Sequence, residues 1–161
     1  MQKKYWNQLS QYKFSLFYLD AHFSRCIKID RTIKIVLAIC SSTAIASWAI
    51  WSKIGIVWAI IIAVSQVISV VNEFLPYQKR ISEISDMKAA LTLLYYDIEH
   101  DWFKVANGEL KEEEINDLNR DYLKKWAVID DKYFFKDSLP CKEKCVKYAQ
   151  NKKIEYFNTM F

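Results

Sequence analysis

A chain of 161 residues has room for about one domain, and 26% charged residues with a mean hydropathy of −0.09 give it the average of an ordinary soluble protein. Only two glycines and two prolines are present, which excludes a fold built on many β-hairpins. The net charge of +4 comes from the front, where seven basic residues through Lys34 meet two acidic ones; after Asn72, fifteen basic meet seventeen acidic. That is the asymmetry of membrane topology, and it argues against a nucleic-acid-binding face.

In chain order, the first segment is 1–34. Trp6, Leu9, Tyr12, Leu16, Leu19, Phe23 and Ile27 recur at steps of three or four, the seam of an amphipathic helix with a mean step of about 3.5, which suits packing on another helix. Lying flat on a membrane is the alternative, with Lys3, Lys4, Lys13, Arg25 and Lys28 meeting anionic lipid. No Gly or Pro separates this helix from the uncharged run after Lys34, so the sequence predicts that it continues without a break.

Between Lys34 and Glu73 the one Lys, Arg, Asp or Glu is Lys53. The uncharged runs 35–52 and 54–72 hold 18 and 19 residues, close to the roughly 20 that carry a helix across a bilayer core. An αα-hairpin buried in a soluble core is the alternative, and runs of this length exceed the usual soluble core helix. Trp48, Trp51 and Trp58 bracket a turn at 53–55, where indoles favour the headgroup layer, and Lys34 and Lys53 are placed to snorkel at the two interfaces. Lys28, Arg31, Lys34, Lys79 and Arg80 outweigh the lone Lys53, which puts both termini in the cytoplasm. A signal peptide is not expected, because the apolar run begins more than thirty residues in. Cys26, Cys141 and Cys145 then face a reducing cytosol and Cys40 lies in the membrane, so free thiols are expected.

Polar groups inside a span are expensive and normally face protein or water. Ser65, Ser69 and Asn72 share one helical face with Gln66 beside them, and Ser41, Ser42 and Ser47 add hydroxyls in the first run. If several hairpins assemble, these residues line a polar path. Close packing is the reading favoured for them, and it is compatible with a lumen: Ala38, Ser42 and Ala46 form a small-residue ridge that Ala59 and Ala63 match, with hydroxyls bonding their own helix backbone.

Beyond the runs, Pro76 marks a kink or a fresh helix start at the membrane exit. A second seam runs through Ile81, Ile84, Met87, Leu91, Leu94, Ile98, Trp102 and Val105 and stops at Asn107-Gly108. Leu91, Leu94 and Ile98 are its expected packing residues. The next helix opens on Glu112, Glu113 and Glu114, which complement its dipole, continues through Ile115, Leu118, Tyr122, Trp126 and Ile129, and is expected to end at Asp130 and Asp131. Residues 132–139 show no period, and Pro140 is expected in the first turn of a last helix through Cys145, Tyr148, Ala149 and Tyr156. The predicted fold is an all-α membrane protein in three segments: an amphipathic cytoplasmic helix (1–34), a two-span transmembrane hairpin (35–72) and a cytoplasmic helical region (73–161).

Chemistry is hard to find. Cys141-x-x-x-Cys145 with His22 and His100 is a weak zinc signal, because no second close ligand pair accompanies the two thiols, which read as a half-buried helix face. Glu112 to Glu114, and Asp97, Glu99 and Asp101 beside His100, read as solvated helix faces, because no nucleophile elbow, Walker lysine or HExxH motif accompanies them. No enzyme activity, catalytic residue, metal or cofactor is expected.

The ensemble of an aromatic-rich N-terminal helix, a tight two-span hairpin, Leu75-Pro76-Tyr77 at the exit and a helix ending in Trp102…Gly108-Glu109-Leu110…Glu114-Ile115 resembles the SLATT domain family over residues 14–129. The resemblance implies a two-transmembrane effector of bacterial conflict systems that assembles as a homo-oligomer and forms a pore or disrupts the inner membrane. It also implies a cytoplasmic sensor or nucleotide-signalling protein as trigger. The family is not an enzyme family and supplies no catalytic residues. A different class, a non-conducting membrane scaffold that docks a cytoplasmic partner, fits the same segments.

Overall fold

A computed structural model describes the backbone of residues 1–50, 55–74, 77–134 and 139–160, and the side chains of 1–39, 60, 62–70, 79–133 and 139–160. Five helices account for the regular structure among these residues: α1 (Gln2–Ile50), α2 (Gly55–Phe74), α3 (Tyr77–Ala106), α4 (Glu112–Phe134) and α5 (Glu143–Met160), with no strand. The all-α class is therefore observed. So is the unbroken passage out of the N-terminal seam, since α1 is one helix of 49 residues. The chain divides into two compact units, Met1–Phe23 with Ser82–Phe161, and Ser24–Ile81.

The first unit is an up-down-up-down four-helix bundle. Its direction can be read from contacts. At the N-terminus of α1, Gln2 Nε2 donates to the Val105 carbonyl at 2.8 Å and the Tyr5 hydroxyl to the Ile98 carbonyl at 2.9 Å, so α1 and α3 run antiparallel. Lys4 meets Asn116 early in α4 and Tyr12 stacks on Trp126 at 4.2 Å between ring centroids, which makes α4 parallel to α1. Trp6 packs on Phe157, and the Tyr18 hydroxyl donates to the Pro140 carbonyl, so α5 runs antiparallel to α1.

Leu9, Tyr12, Leu16 and Leu19 of α1 and Ile84, Met87, Leu91, Leu94, Ile98 and Val105 of α3 are buried, while Trp6, Phe23, Ile27, Ile81 and Trp102 are half-buried. The α1 seam is wider than its spacing indicates, because Tyr5 and His22 are also buried. A helix enclosed by three neighbours buries more than a two-helix seam. Tyr95 and Asn119 join the core for the same reason.

Two boundaries differ from expectation. α4 passes through Asp130 and Asp131 to Phe134, with Lys132 placed favourably in its last turn. α5 begins at Glu143 and not at Pro140: the Lys142 carbonyl accepts from the Cys145 and Val146 amides, and Glu143 supplies the first-turn negative charge. Cys145 and Ala149 face the core, whereas Tyr148, expected beside them, is exposed.

The α3–α4 corner is cut by Gly108 at φ 72°. The Glu109 amide donates to the Lys104 carbonyl and the Gly108 amide to Val105, the paired bonds of a Schellman ending. Opposite, the Glu114 carboxylate accepts from the Lys111 amide at 2.7 Å, one half of a capping box on α4. A Cβ at position 108 would meet no atom within 4 Å, so the cost of a side chain there is conformational alone. Gly108→Ala is expected to lower stability by about 1–2 kcal/mol, and Gly108→Asn by less, since Asn tolerates the left-handed region; denaturant unfolding of the full chain followed by circular dichroism measures both.

The second unit contains the rest of α1, α2 and the first residues of α3. Among the described residues no helix is long and apolar enough to cross a membrane. The runs 35–52 and 54–72 fall mostly on positions whose side chains lie outside the described set, so the two-span hairpin rests on the sequence.

Candidate functional site

The site that the sequence marks is the α2 face around Ser65. At 100° per residue, Ser65, Gln66 and Ser69 lie on one side of α2, and Ile60, Val64 and Val67 on the other. Gln66 and Ser69 are exposed within the single chain, while Ser65 is half-buried and its hydroxyl donates to the Ile62 carbonyl of its own helix at 2.8 Å. The apolar side chains are also uncovered: Ile60 is 59% exposed and Val67 62%, with Val64 exposed beside them and Val70 at the edge of that side, while Ile62, also exposed, falls between Ser69 and Gln66 on the polar side. Ser41, Ser42, Ser47 and Asn72 have side chains outside the described residues, as do Ala46, Ala59, Trp48, Trp51, Lys53, Trp58 and Pro76. Ala38 and Ala63, read as ridge residues, are exposed. Lys34, read as an interface residue, is exposed and pairs with Asp30 at 2.8 Å.

Leu91, Leu94 and Ile98 lie in the bundle core of the first unit. A surface the sequence reading missed runs along the opposite side of α3, where Ala89, Leu93, Tyr96, His100 and Phe103 are exposed at alternating steps of four and three. That spacing was present in the sequence, yet the stronger apolar seam of the same helix masks it.

The bundle also encloses a polar, aromatic centre. The Lys13 ammonium lies 3.5 Å from the ring centroid of Tyr156, 4.3 Å from that of Tyr95 and 5.5 Å from that of Phe17, close enough for cation–π attraction. The hydroxyls of Tyr95 and Tyr156 both donate to Glu99 Oε1, at 3.1 and 2.5 Å. Burial pulls the Lys13 amine below the usual lysine value, with Glu99 opposing. Burial, reinforced by Glu99, pushes the Tyr95 and Tyr156 phenols well above theirs. Two residues further along α3, the Asp101 carboxylate accepts from Tyr122 at 2.7 Å and Lys104 at 2.8 Å; burial would raise it, but these bonds hold it below the usual carboxylate range. Burial raises Tyr122 and Tyr5, with Asp101 adding to both.

This arrangement ties α1, α3, α4 and α5 together and presents no nucleophile with a base. Among the described residues no group of three or more His, Cys, Asp or Glu side chains is placed to hold a metal ion. Cys141 is exposed and Cys145 buried, both as free thiols, and His22 is buried with its ring 4.6 Å from that of Tyr18. No family model, no curated protein and no solved structure matches this chain.

Tyr5, Tyr95, Tyr122 and Tyr156 hold their protons in the folded state beyond the free tyrosine value of 10.0. Above that pH the unfolded chain binds fewer protons than the folded one, so stability falls as pH rises. Lys13 acts oppositely, its amine being lowered from 10.5, but it is one group against four. A tyrosinate absorbance titration is therefore expected to show a group of phenols that ionise only together with loss of helix signal; ionisation of every tyrosine near pH 10 in a folded chain would contradict the buried network.

Proposed function

We propose that this chain is a membrane effector of bacterial defence by abortive infection. In this reading 35–52 and 54–72 cross the inner membrane as a hairpin, both termini stay in the cytoplasm, and several copies assemble so that their hairpins open a polar path. The lipid bilayer and further copies of the chain are then its partners, with a cytoplasmic sensor or nucleotide-signalling protein as trigger. The observation that carries the reading is the near-absence of charge from 35–72, broken only at Lys53. The uncovered apolar side chains of α2 support it, because a contiguous apolar surface in water is costly and calls for lipid or protein. Gln66 and Ser69, exposed on the other side of the same helix with Ile62 between them, supply polar groups for a water-filled lumen. The pattern shared with the SLATT family supports the defence role and the dependence on a trigger.

The scaffold reading is favoured by one observation, the exposed α3 row of Leu93, Tyr96 and Phe103, which suits a docked partner helix. The two readings separate on conductance. In bacteria carrying the inducible gene, a voltage-sensitive dye is expected to report depolarisation by the parent and none by Ser65→Ala/Gln66→Leu/Ser69→Ala at equal membrane abundance. Depolarisation by that variant as strong as by the parent contradicts the pore lining. An unchanged potential with the inserted parent, together with loss of partner capture in Leu93→Glu/Phe103→Glu, supports the scaffold. Charging the exposed pair leaves the bundle core intact, whereas charging Leu91 or Ile98 would break it.

A further inference from the structure

We propose that α1 carries a binding site for the phosphate of an anionic phospholipid at the point where its uncharged run begins. The site is a shallow groove of about 450 Å³ lined by Ile27, Asp30, Arg31, Lys34, Ile35 and Ala38, all within the second unit. Ile27, Arg31, Lys34 and Ala38 succeed one another at steps of four, three and four, so they form one stripe along the helix. Apolar and cationic side chains therefore share it, with Ile35 and Ala38 at the end that leads into 35–52.

The charge of the groove identifies its ligand. Asp30 is committed to Lys34 at 2.8 Å, whereas Arg31 forms no ion pair among the described residues. Asp30, Arg31 and Lys34 together leave one positive charge, carried by a guanidinium whose planar fork suits two phosphate oxygens. A free phosphate would satisfy Arg31 but leave Ile27, Ile35 and Ala38 facing water. A phospholipid satisfies both, its phosphate on Arg31 and the start of an acyl chain along Ile35 and Ala38. Neutral phosphatidylcholine also holds a phosphate, but its choline cancels the charge and would meet Arg31 and Lys34 unfavourably; phosphatidylglycerol has no such cation. The inference rests on the membrane reading above.

The test uses the full-length chain in neutral detergent, with retained lipids counted by native mass spectrometry against phosphatidylglycerol, phosphatidylcholine and inorganic phosphate. Carbonate extraction of the same chain from bacterial membranes is scored in parallel. The parent is expected to resist extraction and to prefer phosphatidylglycerol. Arg31→Gln should weaken that preference about tenfold, the size of one lost hydrogen bond to a charged group. Arg31→Lys should restore it only in part, because the ammonium lacks the fork, and Lys28→Gln, outside the groove, should leave it unchanged. Equal losses in Lys28→Gln and Arg31→Gln overturn the site in favour of a diffuse positive field. Displacement of phosphatidylglycerol by millimolar inorganic phosphate assigns the groove to free phosphate and also overturns it. A chain that resists extraction without lipid preference refutes this inference alone, while a chain that carbonate releases refutes the membrane reading and the inference with it.

Discussion

The packing of the first turns of α1 against three other helices is the contact on which the rest of the bundle depends. Tyr5, Leu9, Tyr12, Leu16 and Leu19 are buried there, and α3, α4 and α5 each touch this segment through a different set of rings and hydroxyls. Helices joined by tight corners bury an apolar stripe most simply by returning antiparallel. The Schellman ending at Gly108 imposes that return between α3 and α4, and the 139–142 segment allows it again before α5.

Polar groups make this packing specific. An all-leucine core would accept several registers, whereas Glu99 must receive both Tyr95 and Tyr156, and Asp101 must receive Tyr122. A one-turn slip of α5 would part the half-buried Tyr156 hydroxyl from Glu99, at a cost of about 1 kcal/mol, while the Tyr95 bond within α3 would remain. Lys13 adds a positive charge that the ring faces and Glu99 accommodate. The bundle thus holds charged groups even at its centre, in contrast to the stretch 35–72, from which charge is nearly absent. Segregation of this kind within one chain is what two different solvents would select, and it is the physical basis of the proposed division between cytoplasm and bilayer.

The helical elements were legible where period and punctuation agree. The α1 and α3 seams, the stop at Asn107-Gly108 and the acidic start of α4 combine apolar spacing with a terminal signal. Terminal signals alone misled: Asp130 and Asp131 are exposed side chains on a helix that continues one more turn, and Pro140 precedes α5 instead of opening it. Burial of Tyr5, His22, Tyr95 and Asn119 was not legible, because it depends on three neighbours enclosing a helix, and seam spacing describes one. Of the marked α2 face, Gln66 and Ser69 are exposed and Ser65 bonds its own backbone. The Lys13 centre and the outward row on α3 depend on tertiary placement or on a second, weaker period.

In the proposed topology the chain turns back outside the cell at residue 53 and its bundle stays inside. Labelling of cysteines by a membrane-impermeant maleimide in intact spheroplasts measures this directly. Cys141 is exposed on the bundle and serves as the internal reference. The proposed topology predicts that Lys53→Cys is labelled before lysis, whereas the exposed Cys141 reacts only afterwards. Labelling of Cys141 in intact spheroplasts, or protection of position 53 until lysis, would contradict it.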